Sequence, residues 1–122
     1  MPKILVIDDI DMVRETICRM RSASGYEAVH AADGRQGLQM VEEHNPDAVI
    51  TDIVMPNKEG LETIRQLVKT KPEIPVIAMT GAANRLYLNI ALSFGAAGVL
   101  QKPFTHTELL SAVRHALQAA PV

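Results

Sequence analysis

Lys3-Ile4-Leu5-Val6-Ile7-Asp8-Asp9 is the stretch that decides the fold. An unbroken run from Ile4 to Ile7, rich in β-branched side chains, is apolar on both faces of an extended chain and stops abruptly at two carboxylates. Such a run is expected of a central parallel strand covered by helices on both sides. Runs of similar length recur at Glu27 to Ala31, Ala48 to Thr51, Pro75 to Met79 and Gly98 to Gln101, with an amphipathic stretch of helical length after each. Those at Ala48 to Ile50 and Val76 to Met79 are again continuous rather than alternating. The repeated βα alternation predicts a doubly wound α/β domain with a five-stranded parallel sheet and five helices, starting near Met12, Arg35, Gly60, Asn84 and Thr105. Asp33 precedes Gln36, and Thr105 precedes Glu108, at the spacing of a capping box. With no linker, repeat or low-complexity segment, residues 1–122 are expected to form one domain with a loose tail from Ala119.

Composition narrows the function. Twelve Lys and Arg against fourteen Asp and Glu leave a net charge of −2, without the basic excess that holds a protein to nucleic acid or anionic lipid. Proteins and small ions are the expected partners. No apolar stretch approaches the roughly 18 residues of a membrane span, and no leader pattern opens the chain, so a cytoplasmic protein is expected. A single Cys18, set among apolar residues, forms no internal disulfide and suits a reducing compartment.

In an open parallel sheet, ligands bind beyond the carboxyl ends of the strands. The first expected strand ends in Asp8 and Asp9, the third in Asp52, the fourth in Thr80 and the fifth in Lys102, so four of the five deliver polar groups to one edge. Singly, each has an ordinary reading as a cap, turn or solvated side chain. Together, three carboxylates beside one lysine leave a surplus of negative charge that a proton or a cation must relieve. Hard oxygen ligands favour Mg2+, which is held by one or two carboxylates together with a phosphate oxygen. Asp52 is then the expected nucleophile toward phosphorus, with Lys102 and the Thr80 hydroxyl on the transferring oxygens.

These residues, in this order, resemble the receiver domain of two-component response regulators over nearly the whole chain. The resemblance rests on Asp8-Asp9 after the first run, on Asp52-Ile53-Val54-Met55-Pro56 with Gly60 following, on Thr80-Gly81, and on Lys102-Pro103-Phe104. It implies a flavodoxin-like receiver fold of strand order 2-1-3-4-5 and a cis bond before Pro103. It further implies phosphorylation at Asp52 and Mg2+ held by Asp8, Asp9, Asp52 and the Val54 carbonyl. A phosphoacceptor switch that catalyses only its own phosphorylation and dephosphorylation is not expected to be an enzyme. The implied partners are a sensor histidine kinase or histidine phosphotransferase, docking near Ile10, Met12 and Val13, and a downstream protein. The latter would read the surface of the fourth helix, fifth strand and fifth helix.

One departure from the family's pattern stands three residues before Lys102, where many receivers carry Tyr or Phe and this chain has Val99. An inward-swinging ring is excluded here, leaving a smaller repacking of Val99 or a shift of the whole fourth helix. Val54 and Ala82 carry no acid or amide to orient an attacking water, which predicts a long-lived acyl phosphate. From Ala82 to Gln101 the one charged residue is Arg85. Tyr87, Ile90, Ala91 and Phe94 make a stripe expected to face the core, which would put Leu88 and Leu92 outward as a docking pair for a partner or a second copy of the chain. His30, His44, His106 and His115 are expected at the surface, and Gly60, Gly81 and Gly95 at turns or close approaches.

Two other readings stay open at this point. Asp9-Ile10-Asp11-Met12-Val13 also resembles the nucleophile motif of haloacid-dehalogenase-type phosphatases, with Asp9 as nucleophile, although that family needs a late acidic cluster and only Glu108 follows Lys102. A receiver-like scaffold that works without phosphorylation is the other. The chain ends soon after the fifth expected helix, as a stand-alone or an excised receiver would.

Overall fold

A computed structural model of the chain describes residues 2–8, 25–53, 59–81 and 85–118. The helix expected from Met12, together with Asp9, Val54, Ala82, Cys18 and the tail, lies outside the described residues. The elements are β1 (Lys3–Ile7), β2 (Glu27–Ala31), α1 (Gly34–His44), β3 (Ala48–Asp52), α2 (Glu59–Thr70), β4 (Val76–Gly81), α3 (Arg85–Ser93), β5 (Gly98–Lys102) and α4 (His106–Gln118). These four helices are the expected second to fifth.

The five strands form one parallel sheet in the order β2-β1-β3-β4-β5, as the resemblance implies. The three continuous apolar runs take the three central places, because only a strand with neighbours and helices on every side buries all its side chains. The edges go to β2, where exposed and buried residues intermix, and to β5, mostly half-exposed. Strands β3, β4 and β5 run one or two residues further than their apolar patterns predict, ending at Asp52, Gly81 and Lys102. The polar residues expected just beyond the strands are therefore held within the ladder itself. The Lys102–Pro103 peptide is cis.

The capping box at Thr105 closes fully, and the one at Asp33 closes in part, its returning glutamine taking the N–H of Ala32 in place of that of the cap. Gln36 N donates to Asp33 Oδ1 at 2.8 Å while Ala32 N donates to Gln36 Oε1 at 2.7 Å. Glu108 N donates to Thr105 Oγ1 at 3.0 Å and Thr105 N to Glu108 Oε1 at 3.1 Å. At Gly60 the first turn of α2 lies directly against the backbone of Ile53, leaving no room for a Cβ. Gly95, after α3, takes φ 104, a left-handed conformation suited to glycine.

Strand alternation divides the core in two. One cluster contains Leu5, Ile7, Val49, Val76 and Ala78 under Val41 of α1, Ile64 and Leu67 of α2, and Leu88 and Ala91 of α3. The other contains Ile4, Val6, Ile50, Ile77, Met79 and Leu100 under Leu109, Val113 and Ala116 of α4. The expected face of α3 is corrected by this packing. Leu88 is 9% exposed and belongs to the core, Leu92 is 47% exposed, and Tyr87 and Phe94 are exposed rather than buried. Ala91 of the expected stripe does lie in the core and Ile90 is half-buried, so the buried face is shifted by less than the roughly 100° of one residue. Leu88 and the small Ala91 pack into the core over β4 and β5, whereas Tyr87 and Phe94 stay 40% and 36% exposed. The docking pair is therefore broken, and Leu86 and Leu92 are the exposed leucines of this helix.

Candidate functional site

Asp8, Asp52 and Lys102 meet at the carboxyl edge of the sheet. Each follows a strand's inward residues by alternation: Asp8 after Ile4 and Val6, Asp52 after Ala48 and Ile50, and Lys102 after Leu100. All three side chains thus belong to the sheet face that α4 covers. Lys102 Nζ lies 2.7 Å from Asp52 Oδ2 and 3.4 Å from Asp8 Oδ2. The sheet fixes these positions through backbone bonds: Asp8 N donates to Ala31 O at 3.1 Å, and Ile53 N to Met79 O at 2.9 Å. His30 Nε2 lies 3.4 Å from the Asp8 carbonyl oxygen.

The site is buried. Asp8, Asp52 and Thr80 are 2%, 4% and 1% exposed. Burial pulls the Lys102 ammonium toward a lower pKa, but its hydrogen bond and charge pairing with Asp52, and then with Asp8, outweigh that and raise it above the ordinary 10.5. Lys102 is therefore a fixed positive charge at neutral pH. Two buried carboxylates share it, so the described pocket has more carboxylates than cationic groups.

Thr80 stands apart from the three charged groups. By alternation it shares the opposite face with Val76 and Ala78, under α3, and its buried Oγ1 finds no hydrogen-bond partner among the described residues. A buried hydroxyl without a partner is costly. Residue order alone puts Thr80 with the acids; which face it occupies follows from strand parity once the end of β4 is known.

The oxygen-rich donors present, Asp8 and Asp52 with an excess of carboxylate over ammonium, fit a hard divalent cation and a phosphate. Among the described residues no group of three or more His, Cys, Asp or Glu gathers. Asp9 and Val54, the other expected ligands, lie outside them. His30, His106 and His115 are exposed and His44 is partly so, as expected.

A doubly wound parallel sheet with an acid pair and a lysine at the carboxyl end of its central and edge strands defines the receiver class of signalling domain. The chain belongs to the response regulator receiver domain family, whose sequence pattern matches residues 4–114. It is 39% identical over 116 residues to the response regulator MprA of Mycolicibacterium vanbaalenii, covering 95% of this chain and 50% of that protein. The chain thus spans about half the length of the MprA relatives it matches. A response regulator receiver domain protein of Clostridium thermocellum superposes with TM-score 0.87 at 32% identity, over 97% of this chain and 95% of that one. The receiver domain of NtrX from Brucella abortus does so with TM-score 0.88 at 28% identity, over 96% and 99%. Among the described residues no helix is long and apolar enough to cross a membrane.

Proposed function

We propose that this receiver is a phosphoacceptor switch in which Asp52 accepts a phosphoryl group from a phosphohistidine donor on a sensor kinase or histidine phosphotransferase. The observation that carries the reading is the buried meeting of Lys102 with both Asp52 and Asp8. An Asp52 carboxylate oxygen attacks phosphorus as the phosphorus–nitrogen bond of the donor breaks, and the electron pair leaves with the imidazole. Lys102 holds the carboxylate in place and faces the charge that builds on the phosphoryl oxygens. The Thr80 hydroxyl donates to one of those oxygens, which ends its lack of a partner. Mg2+, when held by Asp8, Asp9, Asp52 and the Val54 carbonyl, supplies positive charge to the same oxygens.

The phosphorylated form is read by a downstream protein on the surface of α3, β5 and α4, where Leu86 and Leu92 are exposed. The protein works in the cytoplasm, catalyses only its own phosphorylation and dephosphorylation, and contacts neither nucleic acid nor membrane through this domain.

Labelling with a small acyl phosphate in the presence of Mg2+ tests this reading. The protein is expected to gain one phosphoryl group, to lose that gain in Asp52→Asn, and to lose it on chelation of Mg2+. Uptake that survives in Asp52→Asn but disappears in Asp9→Asn would instead support the phosphatase-like reading.

A further inference from the structure

In the β4–β5 register, Ala78 lies opposite Val99 and Thr80 lies opposite Gln101. Ala78 and Val99 both pack in the core cluster beneath α3, so alternation puts Thr80 and Gln101 on that same face. The cross-strand neighbour of the buried, unpartnered Thr80 hydroxyl is therefore a glutamine, one strand spacing of about 4.8 Å away. Gln101 is half-exposed and, with Leu86, Leu88, Asn89, Leu92 and Val99, lines a groove of ≈ 560 Å³ between α3 and β5. It stands beside the buried Thr80 hydroxyl on one side and the surface groove on the other.

We propose that Gln101 is the coupling residue of this switch, carrying the state of Thr80 to the α3–β5 groove. The inference rests on the reading of Asp52 as phosphoacceptor. A threonine hydroxyl has one proton to donate and two lone pairs to accept with. A phosphoryl group on Asp52 turns that proton toward its oxygens, and the lone pairs then accept from the Gln101 Nε2–H. Gln101 is drawn from the groove toward Thr80, and the space between Leu86 and Leu92 opens. Val99, on the same strand face, has no polar atom with which to hydrogen-bond a hydroxyl. A glutamine amide can bond one, because it offers both donors and an acceptor at the end of a flexible stem.

Isotope-labelled glutamine side chains and leucine methyl groups, followed by nuclear magnetic resonance on the full chain, test the proposal, with intact mass reporting phosphorylation. Labelling uses acetyl phosphate and Mg2+. The Gln101 side-chain amide signal, identified by its disappearance in Gln101→Met, is expected to shift on phosphorylation, together with the methyl signals of Leu86 and Leu92. Gln101→Met keeps length and bulk without the amide. It is expected to gain the same phosphoryl mass as the parent while losing the methyl shifts. Unchanged methyl shifts in Gln101→Met, or a Gln101 amide that does not respond, would overturn the proposal with the phosphoacceptor reading intact. Failure of the parent protein to gain mass would overturn both.

Discussion

Lys102 Nζ sits 2.7 Å from Asp52 Oδ2, joining the end of edge strand β5 to the end of central strand β3 across β4. Only a folded sheet brings together two residues 50 positions apart in the chain. Both side chains are largely withdrawn from water, at 12% and 6% exposure, so the pair is held at a low-dielectric edge rather than on a solvated surface.

Removing one member of such a pair leaves a buried charge uncompensated. Lys102→Met is expected to cost roughly 3 kcal/mol of stability at neutral pH, the lower end for a broken buried pair. Adding Asp52→Asn should restore part of that loss, because one of the two buried carboxylates left behind goes with it while Asp8 keeps its charge. Urea unfolding of the two single variants and the double variant measures the coupling. Additive losses would mean that the pair does not interact.

The raised pKa of Lys102 gives the pair a definite pH dependence. A group charged more readily in the folded state stabilises it fully below the unfolded pKa, near 10.5, and loses that contribution as pH rises through the higher folded value. The stability gap between parent and Lys102→Met should therefore stay level from neutral pH to about 10 and shrink above 10.5. A gap that closes already between neutral pH and 9 would contradict the raised value.

The rotated face of α3 predicts opposite outcomes for two leucines one turn apart. Leu88→Ala removes a core side chain and should cost about 2–5 kcal/mol. Leu92→Ala, at an exposed position, should change stability by no more than about 0.5 kcal/mol. Thermal or urea unfolding of both separates this packing from the alternative in which Tyr87 and Phe94 point inward.

Lifetime of the acyl phosphate is set by whether a side chain can orient water. Val54 and Ala82 offer no such group, so the phosphorylated protein should persist for minutes or longer after the donor is removed. Loss of the phosphoryl mass within seconds in purified protein would contradict this. Val54→Asn, which introduces an amide, should shorten the lifetime.

Fold class, sheet composition and the identity of the acidic edge were legible in the chain because each depends on short-range pattern. Continuous apolar runs mark Ile4 to Ile7, Ala48 to Ile50 and Val76 to Met79 as central strands, and the polar residue that ends each run marks the edge where a site is built. The caps at Asp33 and Thr105 were equally local, since each side chain reaches the N–H three residues on. The phase of α3 was not legible. Its sequence is apolar nearly all round, so hydrophobic spacing admits several faces, and the choice fell to packing over β4 and β5, which buries Leu88 and Ala91 and leaves Tyr87 and Phe94 exposed.

Residue order is enough to bring Asp8, Asp52, Thr80 and Lys102 to one edge, because a parallel βα repeat sends every strand's carboxyl end the same way. The folded sheet sets Lys102 between Asp52 and Asp8 on one face and the buried Thr80 on the other, beside Gln101. The reason is parity: a strand's side chains alternate, so where each strand ends and how it pairs with its neighbour set which face its last polar residue takes.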